Sequence, residues 1–256
     1  MSLLRKKAAA RIGSAAALAA LMSVVLSGCS MDTTSPSTAR KHADGKHPAD
    51  FGPGDCRRAK CIALTFDAGP GPNTPHLLDV LKEKKVHATF FLLGKNHVMK
   101  YPDVVKREAA EGHEVGNHTW THKILTKQSA DVARQEIEKT EVAVEKITGT
   151  RPRVMRPPQG RTNDSVSKIC KELGVSQVLW STTAKDFSTN DTALIEKRTL
   201  EQAKPDGIIL LHDIYPGTVP AVSGIIDTLR KRGYTFVTVP QLIAPAQLKP
   251  GAIYRP

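Results

Sequence analysis

Cysteine is scarce in this chain, with four residues in 256, and aromatic residues amount to 5%. No two cysteine pairs stand at zinc-ligand spacing, which argues against a structural zinc module. Aromatic and basic residues do not interleave, so no nucleic-acid platform is expected. The N-terminal apolar run, Ile12 to Leu26, holds about 15 residues, where a spanning helix needs about 20. No segment recurs at a fixed period, which excludes a repeat array. Acidic residues are the minority: 25 against 37 lysines and arginines leave a formal charge of +12. That balance bears on partners and solubility rather than on fold. The chain is 40% hydrophobic, enough for a sizeable core in one domain.

The first residues read as an export signal. Arg5, Lys6, Lys7 and Arg11 form a basic region ahead of the apolar run, the order of a secretory signal peptide. The run ends Leu26-Ser27-Gly28-Cys29, which resembles a bacterial lipobox. Residues 1–28 are therefore expected to be removed and Cys29 to carry lipid, which makes the protein a membrane-anchored lipoprotein facing the cell wall or the extracellular space. Loss of the four basic residues lowers the net charge to eight. Residues 30–50 are rich in Ser, Thr, Pro, Asp, Lys and His and poor in apolar residues. Such a segment cannot offset its ordering entropy by burial, so 29–55 is read as a flexible tether with a reach of roughly 25 Å. His42 and His47 are read as solvated tether residues. Residues 56–245 are expected to form one folded domain and 246–256 a C-terminal tail. Cys56, Cys61 and Cys170 remain, an odd number in an oxidising compartment. Cys56 and Cys61 are close enough to bridge, and Cys170 is read as a small buried hydrophobe on a helix.

Strand and helix patterns then alternate. Strands are predicted at Cys61–Asp67, Val86–Leu93, His113–Asn117, Arg153–Met155, Val175–Trp180, Gly207–Leu211 and Tyr234–Val239. Helical spacing separates them, closed at several points by glycines such as Gly112, Gly149 and Gly174. The alternation predicts an α/β fold with a parallel sheet covered on both faces. About seven repeats suggest a (β/α) barrel, whose active site gathers at the C-terminal ends of the strands.

Five short patches carry chemistry, and several of them sit at those ends: Thr65-Phe66-Asp67-Ala68-Gly69-Pro70, His118-Thr119-Trp120-Thr121-His122, Arg156-Pro157-Pro158-Gln159-Gly160, Lys185-Asp186-Phe187 and Leu210-Leu211-His212-Asp213. His118 and His122 are four apart, and on one helical turn both rings would face one divalent metal. Thr119 stands where a His-Glu-x-x-His peptidase has its glutamate, so a peptidase reading lacks its base. Asp67 is held by a Gly-Pro turn and can take a proton from water. His212 can protonate a leaving group, with Asp186 to orient it. Arg156 can pair with Asp67. The stiff Pro157-Pro158 loop can aim a backbone N–H at an oxyanion.

The order and spacing of these patches resemble the polysaccharide deacetylases with NodB homology, carbohydrate esterase family four, over roughly Cys61 to Leu242. The resemblance implies a distorted (β/α) barrel, a divalent metal (zinc preferred, cobalt an alternative), and removal of acetyl groups from a polymeric sugar. It implies Asp67 as catalytic base, His118 and His122 as metal ligands, Arg156 and Asp186 as the residues that position the base and the acid, and His212 as general acid. Two departures stand out. Ala68 occupies the place of a metal-binding aspartate. Gln159 replaces an aromatic residue and so changes the wall of the substrate groove near the oxyanion contact. A milder change is Phe187, which stands where a tryptophan is common. The expected substrate is N-acetylglucosamine in peptidoglycan or chitin-like chains, with acetylated xylan behind it. The competing expectation is a non-catalytic saccharide-binding member that lost its metal through Ala68. The expected partners are the acetylated glycan and the membrane reached through the lipid, without nucleic acid, for a monomer.

Overall fold

The computed structural model describes residues 32–44 and 49–256. The signal segment, Cys29 and His47 lie outside the described residues. In chain order the elements are β1 (Thr33–Thr34), α1 (Pro36–Lys41), β2 (Lys60–Asp67), α2 (Thr74–Glu83), β3 (Thr89–Leu92), α3 (Pro102–Ala110), β4 (Glu114–Asn117), α4 (Ala130–Thr148), β5 (Val154–Met155) and α5 (Asp164–Leu173). They continue with β6 (Ser176–Val178), β7 (Thr182–Thr183), α6 (Thr192–Gln202), β8 (Gly207–Leu211), α7 (Thr218–Lys231), β9 (Tyr234–Val237), α8 (Val239–Ile243) and β10 (Ile253–Tyr254).

Every strand pairing is parallel, in the order β1-β10-β6-β5-β4-β3-β2-β8-β7, with β9 added to β2. The sheet curls into an open barrel with helices around it, as the alternation predicts. Among the described residues it has ten strands rather than about seven. Three of the additions, β1, β7 and β10, are two residues long, too short to show any periodicity.

β2 shows why the chain folds this way. It is buried on both faces beyond its first residue. Ile62, Leu64 and Phe66 pack outward with Leu77, Leu78 and Leu81 of α2 and Ile225 of α7. Cys61 and Ala63 point the other way, to Phe91, Val154, Val178, Ile208 and Leu242 in the barrel interior. A strand period of two thus feeds two cores from one run. Ser129 and Asn163 cap the N-termini of α4 and α5 through Val132 and Val166 N–H, and Gly149 and Gly174 end these helices with positive φ. A disulfide joins Cys56 and Cys61. Cys170 is buried on α5, and burial pushes its thiol up to about 12, which makes it inert.

The two chain ends differ from the sequence reading. Residues 32–44 do not form a free tether. β1 pairs with β10, α1 follows, Pro36 and Ala39 are buried, and the Arg40 guanidinium meets Asp206 and the Leu242 carbonyl at 2.6 Å each. Apolar content is low, as the sequence shows. The segment docks instead through ladder hydrogen bonds and one well-buried guanidinium. His42 is exposed. Residues 246–256 are not a loose tail either: β10 lies between β1 and β6, and Tyr254 is buried. Among the described residues no helix is long and apolar enough to cross a membrane.

Candidate active site

The five patches converge on a cavity of about 530 Å³ whose lining includes Asp67, His118, His122, Gln159, Lys185 and His212. They come together because β2, β4, β5 and β8 are parallel and each ends at the same rim. Left-handed backbone clusters there as well. Ala68, Thr119, His122, Gln159 and Lys185 are five of the seven non-glycine residues with positive φ among the described residues. Such strain concentrates where surrounding structure must aim side chains.

The histidine pair is not on a helix. Asn117 Oδ1 accepts from Thr119 N–H at 2.7 Å, and Thr119 Oγ1 accepts from His122 N–H at 3.1 Å. With φ of 74° at Thr119 and 62° at His122, the loop doubles back and brings the two rings to 4.9 Å between centroids. A spacing of four suggests a helical turn, but here a loop achieves the same convergence. The loop is anchored by Gly94 N–H to Thr119 O and Lys95 N–H to Trp120 O. Gly94 is required there, since a Cβ would lie 2.1 Å from the Trp120 ring.

His118 is 2% exposed. Its Nδ1 lies 2.7 Å from the Arg156 carbonyl, which fixes the tautomer: Nδ1–H donates and the Nε2 lone pair faces the cavity. Burial, partly opposed by Asp67, pulls its pKa down to about 4. His122 faces the cavity more openly, and partial desolvation lowers its pKa too. Both rings are therefore neutral donors near pH 7. Asp67 Oδ2 lies 3.9 Å from His118 Nε2. These groups suit a divalent ion with two imidazole donors. Ala68 offers none, and no cluster of three or more His, Cys, Asp or Glu with metal-holding geometry occurs among the described residues.

Asp67 is 2% exposed. Its Oδ1 accepts from Arg156 Nη1 at 2.6 Å. Arg156 is fully buried, donates also to Thr65 Oγ1 at 2.7 Å and to the Val178 carbonyl at 3.1 Å, and stacks 4.2 Å from the Phe91 centroid. This pins one carboxylate oxygen and leaves the other toward the histidines.

Across the cavity, Asp186 Oδ1 lies 2.9 Å from His212 Nδ1, and Oδ2 accepts from His212 N–H at 2.6 Å and from Thr218 Oγ1 at 2.8 Å. Nδ1–H is thereby tied to the carboxylate, and Nε2 is the free nitrogen. Burial would lower the His212 pKa, but the Asp186 hydrogen bond and charge, with Asp67 and Asp213, raise it above the usual 6.5. The histidine pair is shifted toward the neutral form and His212 toward the protonated one. Gln159 sits at φ 58° on a turn at the rim.

Trp180, Thr183, Tyr215 and Leu210 also line the cavity, and Thr218 steadies Asp186. Sequence reading assigned none of them a role. An aromatic residue at a strand end looks like core, and nothing in the sequence distinguishes Thr218 from any first-turn threonine.

Comparisons with known proteins identify the family. A family model described as polysaccharide deacetylase matches residues 54–178. A peptidoglycan-N-acetylglucosamine deacetylase of Listeria monocytogenes is 42% identical over 184 residues, 72% of this chain and 39% of that protein. This chain therefore spans about two fifths of that relative's length. A peptidoglycan-N-acetylglucosamine deacetylase of Bacillus cereus is 40% identical over 190 residues, 72% of this chain and 88% of that protein. Among solved structures, a peptidoglycan deacetylase of Bacillus subtilis superposes with TM-score 0.68 at 42% identity, over 72% of this chain and 90% of that one. A pseudoenzyme of carbohydrate esterase family four from Bacillus anthracis superposes with TM-score 0.70 at 27% identity, over 77% of this chain and 70% of that one.

Proposed function

We propose that this chain, which belongs to the polysaccharide deacetylase family, is a metal-dependent hydrolase that removes N-acetyl groups from the glycan strands of peptidoglycan, at N-acetylglucosamine first. One observation carries the reading: a carboxylate fixed by a buried arginine and a histidine kept acidic by a buried carboxylate face the same cavity as two neutral imidazoles. That is a base, an acid and a pair of metal donors. Relatives named for the same reaction support the substrate class.

In this mechanism Asp67 takes a proton from the attacking water through the oxygen that Arg156 leaves free. Arg156 holds the carboxylate rotamer and balances its charge. His212 gives its Nε2 proton to the departing sugar amine while Asp186 stabilises the imidazolium. At the rigid turn the N–H groups of Gly160 and Arg161 are taken by the Pro157 and Pro158 carbonyls, so the Gln159 N–H is the backbone donor assigned to the developing oxyanion. A divalent ion, zinc or cobalt, would be held by His118 and His122. When bound it polarises the acetyl carbonyl and acidifies water. Acetylated xylan is the second substrate class. The protein acts as a monomer, exported and lipid-anchored at Cys29.

Ala68 favours a second reading, a saccharide-binding member without turnover. Acetate release from N-acetylglucosamine oligomers separates the two. Chelation and His118→Ala should abolish release, and Asp67→Asn should lower it by about 10²–10⁴-fold. Turnover that persists through all three would refute the mechanism.

A further inference from the structure

The barrel end opposite the cavity carries an excess of positive charge. Because β2, β3, β8 and β9 run parallel, the loops that lead into them share one end, and the catalytic patches share the other. Those loops, residues 53–60, 83–88, 203–206 and 230–233, hold nine cations: Arg57, Arg58, Lys60, Lys84, Lys85, Lys204, Arg230, Lys231 and Arg232. All but Lys84 are exposed. The same loops hold three carboxylates, Asp55, Glu83 and Asp206. Arg57 occupies Asp55 and Arg40 occupies Asp206, at 2.6 Å each. Among the described residues, Arg58, Lys85, Lys204 and Lys231 have no ion-pair partner. The loops form one surface: Lys60 Nζ donates to the Arg232 carbonyl at 3.1 Å, and Arg230 Nη2 to the Lys85 carbonyl at 3.3 Å. β1 is parallel to β10, so it begins at this same end. Cys29 is three residues ahead of Asp32, at most about 11 Å of extended chain.

We propose that this basic end is a docking surface for the anionic head groups of a phospholipid bilayer. Clustered lysines and arginines are drawn to such surfaces within a Debye length. The pocket mouth, at the other end of the parallel strands, then opens away from the membrane toward the wall polymer. A phospholipid surface is favoured over a free polyanion because β1, the first described strand, begins at this end and the proposed lipid site at Cys29 is only a few residues before it in sequence. The orientation rests on the lipoprotein reading, whereas the charge surface does not.

The test uses the full chain carrying Cys29→Ser and vesicles of phosphatidylcholine alone or with phosphatidylglycerol. The ratio of anionic to neutral binding is compared between that chain and one with Arg58→Glu, Lys85→Glu, Lys204→Glu and Lys231→Glu added. The reversal should lower the ratio by about tenfold or more, with the circular dichroism melting curve unchanged. A matching reversal at the cavity end, Lys95→Glu, Lys100→Glu, Lys123→Glu and Lys127→Glu, should leave the ratio within about twofold. A ratio unmoved by the first set, or lowered equally by both, overturns the proposal. Mass measurement of the processed wild-type protein reads the Cys29 lipid separately, so failure of the anchor and failure of the surface are distinct results.

Discussion

His212 and His118 show how one residue type takes opposite roles through its neighbours. Both are largely shielded, and burial alone would lower both pKa values. His118 Nδ1–H donates to a carbonyl and the ring stays neutral. His212 donates to Asp186, and its pKa rises. A raised value keeps the acid form populated to higher pH. It also contributes stability that is complete below the ordinary 6.5 and fades as pH rises through the raised value. Asp186→Asn removes the charge while keeping the shape. The alkaline limb of kcat should move to lower pH, with about a tenfold or larger loss at pH 8 and a smaller loss at pH 6. An unmoved limb would mean that His212 is not the acid. The residues of this site were legible because each reactive group lies beside a turn-forming or spaced partner in sequence, such as Asp67 before Gly69-Pro70. The helical reading of His118 and His122 failed because Thr119 and His122 adopt left-handed backbone, which spacing cannot reveal. Trp180 and Tyr215 were missed for want of any local signal.

Among elements, the long apolar strands and capped helices were readable, and the two-residue strands were not. β1 and β10 join the sheet through ladder bonds and the two buried side chains of β10, Ile253 and Tyr254, and neither strand has an apolar run long enough to mark it. The docking of 32–44 depends heavily on Arg40, whose side chain is 7% exposed and meets two oxygens at 2.6 Å. Its loss leaves Asp206 and the Leu242 carbonyl without that donor. Arg40→Ala should lower the urea midpoint, at about 1–3 kcal/mol. An unchanged midpoint would show that the segment contributes nothing to the fold. Lys197 and Glu201, an exposed pair at 3.9 Å, provide the contrast: Lys197→Ala should have almost no effect.

At the scale of the molecule, parallel strands give the barrel two unlike ends, one holding acid, base and imidazoles, the other holding cations. The barrel itself was predictable from alternation. Its opening between β1 and β7 was not, because it depends on which short pieces pair. The account stands or falls on whether two histidines hold a metal well enough for turnover with Ala68 in place. The direct measurement is zinc titration of the full chain by calorimetry, in parallel with acetate release from N-acetylglucosamine oligomers, for wild type and Ala68→Asp. The predicted result is one zinc per wild-type chain with zinc-dependent acetate release, and about tenfold or more tighter binding in Ala68→Asp. Wild type with neither zinc nor acetate, beside an Ala68→Asp chain that gains both, would contradict it and identify a saccharide-binding protein.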